Sequence, residues 1–105
     1  MAIEAVARTA AEKAGFSLWR AAFLELAEPN LLSAVRELES AGARSVVVMP
    51  YFLTMGIHLK QDLPRLLAEA TQAIPGVEIA ATAPLDGHPS LADIIIERVR
   101  ESLPA

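Results

Sequence analysis

Two side chains in this sequence can both bind a transition metal and take a proton near neutral pH: His58 and His88, the only histidines of a chain without cysteine. A neutral imidazole titrates near ~6.5, so it serves as base or ligand at pH 7. As a nitrogen donor it suits cobalt, nickel, iron and zinc better than magnesium or calcium. A tight metal site normally takes about three or four protein ligands. A metal met by His58 would therefore be held transiently or shared with a substrate. The alternative is a ring that packs at a loop and bonds a carbonyl. His88 lies in a Gly-His-Pro turn, where a helix-capping or loop role is the simpler reading. Glu25, in the apolar run Phe23-Leu24-Glu25-Leu26, is either a partner for His58 or an ordinary strand end. Lys60, Arg65 and Arg44 offer positive charge, or are solvated surface groups.

The element that presents His58 reads S-V-V-V-M-P-Y-F-L-T-M-G-I-H-L-K-Q-D-L-P over residues 45–64. Three consecutive valines with no polar break predict a strand buried on both faces of a parallel sheet. Pro50 ends its ladder, having no N–H to donate. An apolar loop through Gly56 then carries His58, and a helix begins with Asp62 as N-cap and Pro64 in the first turn. The imidazole thus belongs at the carboxyl end of a strand, where open α/β sheets bind ligands.

Around this core segment the pattern alternates. Ile3, Val6, Ala7, Ala10 and Ala14 mark one face of a helix over residues 2–14, with Gly15 as C-cap. Residues 16–26 read as a strand leading into a loop at 25–29. A helix starts near Asn30, with Leu31, Val35, Leu38 and Ala41 in phase and Gly42 at its end. Leu63, Leu66, Leu67, Ala70 and Ile74 mark a third helix, stopped by Pro75-Gly76. Residues 77–83 form a third strand. The turn Asp86-Gly87-His88-Pro89 leads to a last helix with Leu91, Ile95, Val99 and Ser102 or Leu103 on one face. The order α-β-α-β-α-β-α predicts one α/β domain over residues 1–105, a parallel sheet covered by helices. All strand-to-helix loops then share one edge, which collects Glu25, Ala27, Glu28, Thr54, Met55, Gly56, His58, Asp86 and His88.

Composition narrows the function classes. A net charge of -4 and a pI near 5.1 argue against a nucleic-acid surface. Without cysteine there is no disulfide, thiolate metal site or cysteine nucleophile. No apolar run reaches the ~18 residues of a transmembrane helix, and the N-terminus lacks signal-peptide character. The expectation is a cytoplasmic protein. No Gly-rich phosphate loop, Gly-x-Ser-x-Gly elbow or His-Glu-x-x-His pair supports nucleotide binding or hydrolysis.

The run Pro-x-Phe-Leu-x-x-Gly-x-His-x-x-x-Asp-Leu-Pro over residues 50–64 resembles the sirohydrochlorin chelatase family, in its short single-domain CbiX and SirB type. Residues 23–29, Pro75-Gly76-Val77 and the run from Pro84 to Pro89 extend the resemblance over nearly the whole chain. It implies a chelatase-like three-layer α/β fold, often a homodimer. The implied reaction inserts a divalent metal (cobalt or iron, nickel in some relatives) into a tetrapyrrole for cobalamin or siroheme synthesis. The metal is then substrate, with no permanently bound cofactor, and the enzyme is a lyase-type cobaltochelatase or ferrochelatase. The resemblance makes His58 the metal ligand and a catalytic group; Glu25 as its helper comes from the residue pattern alone, which leaves an ordinary strand end open. Leu53, Thr54, Met55, Gly56 and Ile57 would line the macrocycle, Ala27 would face it, and Lys60 or Arg65 would meet its carboxylates.

The departure lies before the first helix. Members of the family begin with a central strand ending in His-Gly-Ser, and no such segment precedes residues 2–14 here. The sheet expected is therefore small: three strands, with the family's first, central strand missing. At a strand spacing of ~4.8 Å this leaves a gap of nearly ~10 Å unless the neighbours close up. The expectation is a start that lies upstream. The alternatives are a non-catalytic tetrapyrrole- or metal-binding paralogue, two copies that complement one another, or a dimerising interaction module without ligand.

Overall fold

The computed structural model describes residues 2–23, 29–51 and 57–104, and for residues 2 and 57–59 the backbone alone. It is a mixed α/β fold of four helices and a two-stranded parallel sheet. Helix α1 spans Ala2–Ala14, with Glu4 in its first turn and Lys13 in its last, each matched to the helix dipole. Gly15 ends it at φ +80°, a conformation that a side chain would oppose. Helix α2 spans Leu31–Ser40; the side chain of its N-cap Asn30 accepts a hydrogen bond of 2.9 Å from the Ser33 N–H. Leu31, Ala34, Val35 and Leu38 are buried at helical spacing.

Strand β1, Ser45–Val48, pairs in parallel with β2, Glu78–Ala81, in the register Ser45 to Glu78 through Val48 to Ala81. Helix α3, Ile57–Ala73, connects them, and α4, Ser90–Ser102, follows β2. Helices α2 and α3 pack together, and α3 also lies against β2. The core is Leu31, Val35, Leu38, Val46, Ile74 and Val77, with Leu66, Leu67, Val48 and Ile79 packed around it. Alternation along β1 sends Val46 and Val48 inward and leaves Val47 64% exposed.

Four expectations are corrected. First, residues 16–23 form no strand. A strand satisfies its N–H and C=O groups only through a neighbour. Among the described residues the one ladder-like contact here is the bridge between Phe23 and Asn30, where the Phe23 N–H donates to the Pro29 carbonyl at 2.9 Å. The remainder of that expected strand, 24–26, lies outside the described residues. Second, among the described residues β1 is covered on one face rather than two: Val46 joins the cluster of Leu31, Val35 and Leu38, while Val47 on the other face stays exposed. Third, α3 begins at Ile57 rather than near Asp62. Its first turn leaves the N–H groups unpaired whatever the sequence. Pro64 is consequently inside the helix, where its missing N–H leaves the Lys60 carbonyl without its i+4 donor. Fourth, the buried residue of α1 is Ala11, outside the expected face, while Val6 is half exposed. This helix packs on the turn that follows it: the Phe16 N–H donates to the Ala11 carbonyl at 2.8 Å, and Arg8 stands 5.6 Å over the Trp19 ring.

Candidate active site at the carboxyl edge of the sheet

Parallel pairing fixes the site's location. Because β1 and β2 run the same way in register, both end at one edge, and the chain leaves both strands there to enter a helix. Beyond β1, Pro50 is buried and Tyr51 exposed. The two strand ends remain tied past the ladder, with Thr82 N–H donating to the Val48 carbonyl at 2.9 Å and Leu85 N–H to the Pro50 carbonyl at 3.4 Å. The α3 and α4 N-termini lie on this edge with their partial positive charge, which favours an anionic ligand.

His58 lies in the first turn of α3, not on a loop ahead of the helix. Its segment thus shares the edge with His88, as the sequence predicts. Helical phase puts His58 and Asp62, four residues apart, on one side of α3. The side chain of His58 lies outside the described residues, as do Glu25, Ala27, Leu53, Thr54, Met55 and Gly56 and the side chain of Ile57. Among the described residues no group of three or more potential ligands gathers that could hold a metal ion.

His88 stands one residue before Pro89, the N-cap of α4, and bonds the first N–H of that helix. Its Nδ1 accepts a hydrogen bond of 3.1 Å from the Ser90 N–H, its own N–H donates to Leu85, and its carbonyl accepts from Leu91. The ring nitrogen facing the helix is engaged in starting α4. That is the simpler of the two roles the Gly-His-Pro turn suggested.

The cations of α3 divide. Arg65 is held within the helix, 2.9 Å from Glu69 and 3.7 Å from Asp62. The sequence assigned Asp62 to an N-cap, and here it serves as an ion-pair partner. Lys60 is exposed in the first turn, beside the strand-end edge, and no carboxylate among the described residues pairs with it. Arg44 donates to the Ala43 carbonyl at 3.0 Å at the far, amino-terminal end of β1. Lys60 is therefore the cation of this group left for an anionic ligand.

The signal the sequence reading missed is at Pro64. A proline ~7 residues into an amphipathic pattern reads as a helix start, whereas the helical phase of His58, Asp62 and Arg65 already continued upstream of it.

Among the described residues no helix is long and apolar enough to cross a membrane. The profile of the CbiX family matches residues 1–102. The chain is 38% identical over 92 residues to the chloroplastic sirohydrochlorin ferrochelatase of Arabidopsis thaliana, covering 88% of this chain and 41% of that protein. It is 29% identical over 121 residues to the sirohydrochlorin cobaltochelatase of Methanopyrus kandleri, covering 96% of this chain and 85% of that one. Among solved structures, a cobalamin (vitamin B12) biosynthesis CbiX protein from Marinobacter aquaeolei superposes with a TM-score of 0.72 at 33% identity, over 90% of this chain and 79% of the other. SirB from Bacillus subtilis, solved with Fe3+, gives 0.73 at 25% identity, over 88% of this chain and 38% of its own length.

Proposed function

Since this chain belongs to the CbiX family along residues 1–102, we propose that it is a sirohydrochlorin metal chelatase, which inserts cobalt or iron into the tetrapyrrole in the cytoplasm. The chain spans less than half the length of the Arabidopsis relative and most of the Methanopyrus one. The observation that carries the reading is the position of His58: within a family-matched segment, in the first turn of α3, the helix that follows β1 in the chain.

Metal insertion exchanges the metal's water for four ring nitrogens and releases two pyrrole protons. In this reading the His58 imidazole ligates the incoming divalent ion and, once the metal passes to the ring, takes up a proton. Weak protein ligation serves the reaction, because the metal has to leave the protein. Glu25 would assist His58 as ligand or proton carrier. Leu53, Thr54, Met55, Gly56 and Ile57 would form the apolar bed for the macrocycle face, with Ala27 opposite. Lys60, exposed and without a described carboxylate partner, would pair with a carboxylate arm of the substrate. The working assembly is a pair of copies.

The test is a visible-spectrum assay with sirohydrochlorin and cobalt or iron. Turnover above the spontaneous rate, reduced about a hundredfold or more by His58→Ala, supports the proposal. A spectral shift on binding without turnover would leave a tetrapyrrole binder and overturn the enzymatic reading.

A further inference from the structure

Asp62 has a place in α3 that its local surroundings do not account for. The helix begins at Ile57, so Asp62 lies past the first turn. A carboxylate gains from the helix dipole only within that turn. Further in, aspartate is a poor helix former, because its side chain competes for backbone hydrogen bonds. Its ion pair explains little: Asp62 Oδ1 stands 3.7 Å from Arg65 Nη2, whereas Arg65 Nη1 is 2.9 Å from Glu69 Oε1. The first distance is too long for a hydrogen bond, and the second is a good one. Arg65 is thus held by Glu69. Yet the Asp62 side chain is the more covered of the two carboxylates, 41% exposed against 57%.

The residue that shares its side of the helix is His58. Positions four apart in an α-helix are neighbours, with about 5–6 Å between Cβ atoms, and α3 runs unbroken through both. A helical side chain leans over the turn before its own Cα. For Asp62 that is the turn carrying His58. The pairing has a chemical use. An imidazole ligates a metal through a lone pair on one nitrogen while the other keeps its proton, and a hydrogen bond to that N–H fixes which is which. An ionised carboxylate only accepts, so it selects one tautomer.

We propose that Asp62 is the positioning residue for His58: its carboxylate accepts the N–H of one imidazole nitrogen and keeps the lone pair of the other for the incoming divalent ion. When the ion passes to the macrocycle, that second nitrogen takes up a released pyrrole proton, and the carboxylate stabilises the imidazolium that forms. What the held ring does rests on the chelatase reading. The holding itself is measured without substrate.

Asp62→Asn and Asp62→Glu test it by two readouts. The first is the nitrogen NMR spectrum of the imidazoles in the metal-free protein at about pH 8, where a free imidazole is neutral. The chain has two histidines, and His88, whose Nδ1 accepts from the Ser90 N–H, is the internal reference. His58 should show one tautomer in the parent protein and in Asp62→Glu. In Asp62→Asn it should show a mixture, because an amide donates as well as accepts; His88 should not change. The second readout is metal insertion into sirohydrochlorin. Asp62→Asn should lower kcat about 10–100-fold with an unchanged KM, and Asp62→Glu should recover most of that loss. Asparagine has the shape of aspartate, so a role in packing alone would spare both readouts. Mixed tautomers of His58 in the parent protein overturn the inference. So do ring signals unaltered by Asp62→Asn, or an unchanged kcat beside an active parent. A parent protein without turnover would instead overturn the chelatase reading, and the ring signals would still decide the role of Asp62.

Discussion

The Nδ1 atom of His88 lies 3.1 Å from the backbone nitrogen of Ser90 and accepts its hydrogen bond at the start of α4. That contact separates the two histidines of the carboxyl edge, because a nitrogen spent on capping is withdrawn from a metal. His88→Ala should reduce stability by about 1 kcal/mol, as loss of a helix cap does. His88→Asn, which keeps a side-chain acceptor, should recover most of it. Urea denaturation measures both, and metal insertion should be unchanged in each.

Burial predicts a contrast between two isoleucines. Ile74 is 3% exposed in the core and Ile95 is 63% exposed on α4. Ile74→Ala should cost about 3 kcal/mol through lost transfer energy and a cavity. Ile95→Ala should cost well under 1 kcal/mol in the isolated chain. Denaturant midpoints at low protein concentration, where association is suppressed, check this. Equal losses would mean that α4 is packed within its own chain.

Pro64 sits inside α3 and withholds a donor from the Lys60 carbonyl. Pro64→Ala should restore that bond. Its gain exceeds the loss of proline's restriction on the unfolded chain, for a net of about 2 kcal/mol of added stability. The urea midpoint should rise with an unchanged slope.

Lys60 and Arg65 are neighbours on α3 with different freedom. Arg65 is engaged by Glu69 at 2.9 Å and Asp62 at 3.7 Å. Arg65→Ala should alter stability by only about 0.3–0.5 kcal/mol, as expected for exposed pairs on one helix. It should leave the KM for sirohydrochlorin unchanged. Lys60→Ala should raise that KM several-fold with little effect on kcat, and more so at low ionic strength. Steady-state kinetics at two salt concentrations distinguish the residues.

The sequence by itself determined what is local. Asn30 as a cap, the buried stripe Leu31, Val35 and Leu38, the stop at Pro75-Gly76 and the end of β1 before Pro50 all depend on residues a few positions apart, and all stand in the structure. The CbiX family was legible for the same reason, since its motif is a continuous run. Tertiary structure decided what depends on distant partners. Residues 16–23 are apolar enough for a strand, yet a ladder needs a neighbour that local pattern cannot supply. Likewise the three valines of β1 read as buried on both faces, and only the packing of α2 and α3 on one side shows which of them, Val47, is left uncovered.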